Sequence, residues 1–470
     1  MKRSRITSIL SALAICLSLI AGSHTSNAAD QPNIVFILAD DMGCGDFGGA
    51  GHPYAVTPNI DRLASEGTLF EQFYATGVTC CPSRTGFMTS RHPASYEKYM
   101  TSFGFEDRIT VMELLKQKEY RIGHYGKWHI GGKPNDIVGI YGIDEGQIIG
   151  NSDTNEDGRD GDLFDASIEF IRRNKDRSFY LNIWGHVSHY KVPNDTFEEA
   201  VPPFSVDPKA FNDSHMEDRL KQTEKLGCDI NVSMRNYVAD LYGLDLNIGK
   251  VLDTLDELGL SENTIIIFAT DQGPAPNTLS NQRHKTSDHQ FSANMLGWAK
   301  GYRGGKHTFY QGGVRIPFIL RWPGNAPAGK VNVDSRLSAL DFLPTLCAIT
   351  GVDEIPNEIE GRNVVEIWKG SDRNVKRPLF WKLSDSRENP SFKPSILLGK
   401  WKYYSGMRKD GPFLYDVEND PGEFKDVDKR HPEVVKELQE LIDEWNATLP
   451  KEYIKDKKLS ADRTGSAFSN

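Results

Sequence analysis

PNIVFILAD (Pro32–Asp40) is an unbroken apolar run that closes in an acid, and DMGCGD (Asp41–Asp46) follows at once. A strand with one wet face alternates apolar and polar residues. A run without alternation predicts a strand buried on both faces, as in a parallel sheet covered by helices. SFYLNIWGHVSH (Ser178–His189), NTIIIFATDQG (Asn263–Gly273) and GGVRIPFILRWPG (Gly312–Gly324) repeat the pattern. Helical segments separate them. In TPNIDRLASEG (Thr57–Gly67), Thr57 is the expected cap, Pro58 suits the first turn and Gly67 the stop. TVMELLKQKEY and LFDASIEFIRRN also read as helices. The longest helix spans about Arg235 to Leu258, with Val238, Leu241, Leu244, Ile248, Val251, Leu252 and Leu255 on one stripe. The expected fold is α/β: a large mixed, mostly parallel sheet sandwiched by helices.

The composition changes near Arg377. PLFWKL, SILLGKWKYY and PFLYDV read as short antiparallel strands, and a last helix carries Val434, Leu438, Leu441, Ile442 and Trp445 on one face. This predicts a catalytic domain over residues 30–376 and a smaller C-terminal subdomain over residues 377–470, with a short antiparallel sheet and a helix. Residues 1–29 read as an export signal. Lys2, Arg3 and Arg5 form the positive end, Ile9 to Ala21 is a short apolar run, and SNAAD offers a small-residue cleavage site. Bulky Ile15 before Cys16 argues against a lipid anchor, and no later run is long and apolar enough for a membrane helix. The expectation is an exported protein, periplasmic or secreted, with no membrane anchor. The 470-residue chain has 38% hydrophobic and 26% charged residues, the balance of a globular enzyme. A net charge of −10 argues against a nucleic-acid binder, which would need a basic face. It does not exclude an anionic substrate, which a local cluster of Lys and Arg can hold. Without Cys16, five cysteines remain. This is no disulfide scaffold, although it leaves room for one bridge among Cys44, Cys228 and Cys347.

Ligands bind at the carboxyl ends of the strands in such sheets. Three strand ends here carry polar chemistry: Asp40 and Asp41, Asp271 and Gln272, and His186 and His189. Tandem carboxylates at one strand end repel each other unless a cation lies between them, and an all-oxygen set suits Ca²⁺ or Mg²⁺. Taken alone, each acidic pair reads as readily as a helix cap. In TCCPSRTGFM, Pro82 suits a first helical turn, which sets Cys80 at a helix N-terminus, where amides favour an anion, with Arg84 one turn along. The functional reading is a thiolate nucleophile, and the plain one is a buried structural thiol. In GHYGKWHIGG, Lys127 and His129 share a side if the stretch is extended. His186 and His189 stand where one could protonate a leaving group. In GGKHTFYQGG, glycines let Lys306 approach a ligand closely.

Together these elements resemble the formylglycine-dependent sulfatases, a branch of the alkaline-phosphatase superfamily. The family motif Cys-x-Pro-Ser-Arg matches Cys80-Cys81-Pro82-Ser83-Arg84. The resemblance continues through TPNIDRLASEG, GKWH, TIIIFATDQG, YRGGKHTFYQGGVRIPF, DFLPTL and LYDVENDPGE, nearly the whole chain after the export signal. It implies an alkaline-phosphatase-like fold and hydrolysis of sulfate esters. Cys80 would be oxidised by a formylglycine-generating or anaerobic maturase, and the hydrated aldehyde would attack sulfur. Asp40, Asp41, Asp271 and Gln272 would bind one Ca²⁺ together with residue 80. Arg84 and His129 would hold and deprotonate the hydrate, and Lys127 and Lys306 would clamp sulfate oxygens. His189, which lies shortly before a proline as the family pattern asks, is preferred to His186 as the proton donor to the leaving alcohol. The second hydroxyl of the hydrate would then expel sulfate.

Three positions depart from the family pattern. Ser90 stands for the glycine of Thr-Gly-Arg, Gln272 for the commoner Asn or His, and Gln311 for the commoner Glu. The stretch between Asp271 and Lys306 should overlie the pocket, with His186, Arg283, His284 and His289 contacting substrate. A sulfated oligo- or polysaccharide is the expected substrate. DTNEDGRDGD (Asp153–Asp162) starts like a calcium loop, but Phe164 stands where the closing Glu is needed, so it reads as a solvated turn. The rival readings are a phosphodiesterase or phosphonate monoester hydrolase of the same superfamily, and a non-catalytic glycan-binding homologue.

Overall fold

The computed structural model describes residues 31–131, 137–150, 156–194, 196–276, 289–383, 393–406 and 410–454. The strands of the main sheet are β1 (Asn33–Ala39), β2 (Thr68–Tyr74), β3 (Arg121–Gly126), β4 (Glu145–Gln147), β5 (Phe179–Trp184), β6 (Thr264–Thr270), β7 (Arg315–Arg321), β8 (Lys330–Asn332) and β9 (Leu337–Ser338). Their order is β4-β3-β5-β1-β6-β7-β2-β8, with β9 beside β2. β4, β3, β5, β1 and β6 run parallel. β7 is antiparallel to both β6 and β2. The sheet is thus mixed and mostly parallel.

β1 shows why its sequence does not alternate. Ile34, Phe36 and Leu38 enter one core together with Phe87, Leu114 and Phe342. Val35, Ile37 and Ala39 enter the other with Phe164, Val238 and Leu241. These six β1 side chains are at most 1% exposed. Burying each larger one stabilises the fold by roughly 1.5–3 kcal/mol. Cys80–Thr89 and Phe342–Thr350 are among the helices on the first face, and Pro58–Glu66, Gly161–Asn174 and Ile230–Glu257 among those on the second.

Local signals were read less well than the hydrophobic pattern. Thr57 does occupy the cap position, but its hydroxyl accepts from Gly48 N at 2.8 Å and not from the helix. The Asp245 carboxylate caps instead, accepting from Asn59 N at 2.9 Å and Ile60 N at 2.7 Å. The longest helix begins at Ile230, earlier than its apolar stripe, because Asp229 caps Asn231 N at 2.8 Å. All five cysteines among the described residues are free thiols, so the bridge for which the sequence left room does not form. Ser90 ends the Cys80–Thr89 helix with a φ of 53°, a left-handed cap where glycine is preferred. Its hydroxyl donates to Leu340 O at 2.6 Å and accepts from Gly361 N at 3.0 Å, which holds that conformation without glycine.

The C-terminal sheet is antiparallel, in the order β10 (Leu379–Trp381), β11 (Ser395–Leu398), β12 (Trp401–Tyr404) and β13 (Phe413–Asp416). One face packs Leu379, Trp381, Leu397 and Tyr404 against Tyr74, Val78, Phe309 and Val314. The other packs Ile396, Tyr403 and Leu414 against Leu438 and Ile442 of the Pro432–Ala447 helix. Among the described residues no helix is long and apolar enough to cross a membrane.

Two buried histidines make stability acid-sensitive. His52 Nδ1 accepts from Tyr54 N and Ala55 N, and His92 Nδ1 accepts from Ala94 N, so both rings are held in neutral form. Burial lowers each pKa from 6.5 to about 3. This stabilisation is complete above pH 6.5 and is lost as the pH falls, because the unfolded chain takes up protons that the fold refuses. Burial raises Asp46 to about 6 and Glu423 to about 7, which acts in the opposite sense, so a variant must isolate the histidine effect. On moving from pH 6.5 to 5, wild type should lose about 2 kcal/mol more stability than His52→Asn, at about 1.4 kcal/mol per pH unit. Parallel denaturation curves at the two pH values measure this, and equal losses would refute it.

Candidate active site

β1 and β6 are register neighbours, with Ala39 opposite Thr270, so Asp40–Asp41 and Asp271–Gln272 leave the sheet side by side. All four side chains are at most 1% exposed. Carboxylate oxygens of Asp40, Asp41 and Asp271 lie within 4.8 Å of one another, and Gln272 Nε2 hydrogen-bonds Asp41 Oδ1. Asp41 N and Gln272 N donate to Asp271 Oδ1 at 3.2 and 3.0 Å.

Cys80 is the first residue of its helix, and Thr79 before it is extended. Its Sγ lies 3.2 Å from Asp40 Oδ1, 3.4 Å from Lys127 Nζ and 3.7 Å from Lys306 Nζ. Arg84 reaches back one turn. Its Nη2 lies 3.4 Å from Asp40 Oδ2 and 3.2 Å from Asp271 Oδ2, its Nη1 donates to Lys127 O at 3.1 Å, and its guanidinium lies over Trp184. Lys127 Nζ also binds Asp40 Oδ2, and Lys306 Nζ binds Asp41 Oδ2 at 2.8 Å. Cys81 points away into the core, where burial pushes its thiol up to about 12. The adjacent thiols therefore sit in opposite environments, one among cations and acids and one among apolar side chains.

The electrostatics follow from three acids sharing a dry space. Burial opposes the Asp40 charge, but Lys127, His189, Arg84 and Lys306 overcome it and hold its pKa well below the carboxylate range. Burial and the Asp40 charge drive Asp271 well above that range. Lys306 is raised despite its burial, by Asp41, Cys80 and Asp40.

His189 Nε2 lies 3.8 Å from Asp41 Oδ2, while Nδ1 donates to Tyr190 O at 2.8 Å, which leaves Nε2 as the free ring nitrogen. One ring nitrogen of His189, the Cys80 thiol and an Asp40 oxygen fall within 4.8 Å of one another. Burial, Lys127 and Lys306 hold its pKa down to about 4. His186 is placed differently: its Nδ1 lies 3.0 Å from Asp160 Oδ1, one step removed from the thiol. His129 is an exposed residue with a φ of 61°, near Lys127 and Arg84.

Nine sequence candidates thus come to one place: Asp40, Asp41, Cys80, Arg84, Lys127, His189, Asp271, Gln272 and Lys306. His129 stands close enough to feel their charges. Arg283 and His284 lie outside the described residues, and His289 opens a short helix to Ala293. The sequence reading missed Asp46, which accepts from Gly43 N and Trp298 N, both at 2.6 Å, and ties the loop after β1 in place. It also misread DTNEDGRDGD. Asp153–Asn155 are outside the described residues, but Arg159 and Asp160 are 3% and 1% exposed, not solvated, because Arg159 pairs with Asp240 of the long helix and Asp160 accepts from the backbone of His186.

The fold is that of the alkaline-phosphatase-like hydrolases. The chain belongs to the sulfatase family, whose model matches residues 32–352, and the C-terminal model described as N-sulphoglucosamine sulphohydrolase matches residues 302–448. It is therefore a sulfuric ester hydrolase. It is 27% identical to N-acetylgalactosamine-6-O-sulfatase of Bacteroides thetaiotaomicron over 94% of this chain and 98% of that protein. Among solved structures it is similar to Ps i-CgsB in complex with k-i-k-neocarrahexaose, with a TM-score of 0.72 at 22% identity, covering 92% and 96% of the two chains. It also resembles the phosphonate monoester hydrolase of Agrobacterium radiobacter, with a TM-score of 0.64 at 18% identity, covering 89% and 96%. These two likenesses concern the fold.

The donor set fits a hard divalent cation: three buried carboxylates and one side-chain amide can all offer oxygen. The test is thermal. Ca²⁺ should raise the melting temperature of the chelator-treated protein, since a ligand at 100 times its Kd stabilises by about 2.7 kcal/mol. Asp271→Asn should abolish the shift. A wild-type midpoint indifferent to Ca²⁺ would count against the cage.

Proposed function

We propose that the chain is an exported hydrolase of sulfate esters on a sulfated carbohydrate, with a nucleophile made from Cys80. The observation that carries this is the Cys80 thiol itself, ringed by Lys127, Lys306 and Asp40 within 3.7 Å at a helix N-terminus. An unmodified thiol so placed could attack sulfur but would then need a separate water to release sulfate. Formylglycine in place of Cys80 would supply a hydrated aldehyde as a nucleophile free of that limit. A Ca²⁺ ion held by Asp40, Asp41, Asp271 and Gln272 would supply positive charge to the sulfuryl oxygens. A formylglycine-generating or anaerobic maturase is the implied partner before folding, because residue 80 is only 3% exposed in the folded chain.

The other side chains have separable tasks. Lys127 and Lys306 flank the nucleophile and can hold two sulfate oxygens, where charge builds in the transition state. Arg84, anchored by Asp40 and Asp271, holds the nucleophile's end of its helix, and His129 at the cleft edge can take a proton from it. His189 Nε2 is the proton donor to the leaving oxygen. Sulfate between the two lysines cancels part of the charge that holds His189 down, so substrate raises its affinity for the proton it must give. Carbohydrate as the substrate is supported by the named sugar specificity of the relative from B. thetaiotaomicron.

The mass of the tryptic peptide spanning residues 63–84 tests the nucleophile. In protein from a host with a maturase, an aldehyde or its hydrate at residue 80 is expected, and Cys80→Ala should lose about 10⁴-fold or more in kcat. A plain cysteine at full occupancy in active protein would sink the formylglycine reading. Faster turnover of a phosphonate monoester than of the matching aryl sulfate would favour the phosphonate hydrolase instead.

A further inference from the structure

We propose that Arg159 and Asp160 are the positioning pair for the leaving-group histidine, gripping both ends of the loop from His186 to Lys191 so that His189 Nε2 faces the nucleophile. The inference rests on the reading of His189 as proton donor.

The pair follows Gly158, whose φ of 85° turns the chain into the Gly161–Asn174 helix. Asp160 takes the entry of the loop. Its carboxylate accepts from His186 N at 2.8 and 3.1 Å, from Val187 N at 3.1 Å and from His186 Nδ1 at 3.0 Å. A Cβ on Gly185 would lie 2.6 Å from Asp160 Oδ2, so the approach depends on glycine there. Arg159 takes the exit. Its Nη1 donates to His189 O at 2.7 Å and Lys191 O at 3.0 Å. Its Nε and Nη2 form a two-point pair with Asp240 at 2.9 and 2.6 Å, which fixes the guanidinium to the long helix.

Between these ends the loop is stitched to the acids of the cage. Ser188 N donates to Asp40 O at 2.6 Å, Asp40 N to Val187 O at 2.8 Å, and Ser188 Oγ to Asp41 O at 3.2 Å. The backbone bonds from Arg159 thus bear on His189 and on a residue two further along. A shift of about 1 Å in a proton donor can cost 10²-fold in rate. A buried ion pair gains little net stability over apolar packing, so directional hold is what this one contributes.

In the step at stake, the bond between sulfur and the leaving oxygen breaks and that oxygen takes the proton from His189 Nε2. A sugar alkoxide needs this proton. A nitrophenolate leaves without it. The experiment therefore compares a sulfated monosaccharide with nitrophenyl sulfate on matured enzyme, for wild type, Asp160→Asn, Arg159→Lys and His189→Ala. Asp160→Asn is nearly isosteric, but either orientation of its amide turns an N–H toward a donor. Its kcat on the sugar ester should fall about 10–100-fold, the scale of a weakened general acid, with less than about a threefold change on the aryl ester. Arg159→Lys and His189→Ala should show the same selectivity. Parallel losses on both esters, or no loss on either, in Asp160→Asn and Arg159→Lys while His189→Ala stays selective would overturn the pair's role alone. An unselective His189→Ala would overturn the reading beneath it and the proposal with it. Nitrogen NMR of the histidine rings in unmatured protein gives a readout apart from turnover. Asp160→Asn should move the ring signals of His186 and His189, and unchanged signals would refute the coupling.

Discussion

Three carboxyl groups at two adjacent strand ends cannot all stay charged in a dry space unless positive charge meets them, and the site is built around that repulsion. Asp40, Asp41 and Asp271 have no water to screen them. Arg84 bridges Asp40 and Asp271, Lys127 takes Asp40 and Lys306 takes Asp41. Each of the three cations arrives from a different part of the chain, so the charge balance fixes where three separate segments meet. The same cations give the site its chemistry. A cluster rich in lysine and arginine beside a helix N-terminus binds an oxyanion whatever the net charge of the molecule.

The sheet supplies the precision this requires. β1 sits between β5 and β6, and the register that puts Ala39 beside Thr270 and Leu38 beside Trp184 also aligns the acids with the histidine loop. A slip of one residue would turn every β1 side chain to the other core. Register here is enforced by two apolar layers at once, and the geometry of the candidate site inherits that enforcement.

How much of this was legible in the sequence depended on distance along the chain. The two-faced burial of β1 and the position of Cys80 at a helix start follow from neighbours within a few residues, and both were readable. The convergence of the acids was readable because strand ends in such sheets meet at one edge. The direction of β7 was not, since an antiparallel interior strand and a parallel one share the same apolar run. Asp245 capping a helix 186 residues away could not be inferred from the Thr57 that occupies the cap position. Arg159 and Asp160 were misread for the same reason. A stretch rich in Asp and Gly looks solvated until the elements that consume its charges are placed around it.

The C-terminal sheet finds its reason in the loop that bears Lys306. A lysine on a glycine-flanked loop has no intrinsic rigidity, yet it must hold its ammonium among Asp41, Asp40 and Cys80. The sheet supplies the hold from behind. The Tyr404 hydroxyl donates to Phe309 O at 3.2 Å and also binds Glu423, whose other oxygen accepts from Gln311 N at 2.8 Å. Arg303 donates to Glu423 O at 3.0 Å and stacks on Tyr310. Glu423 itself is wholly buried, so displacing it would strand a carboxylate and three donors together. One residue of the LYDVENDPGE turn thereby ties the start and end of the lysine loop to a separate sheet. The small sheet in this sense helps to build the candidate site by holding the loop that carries Lys306.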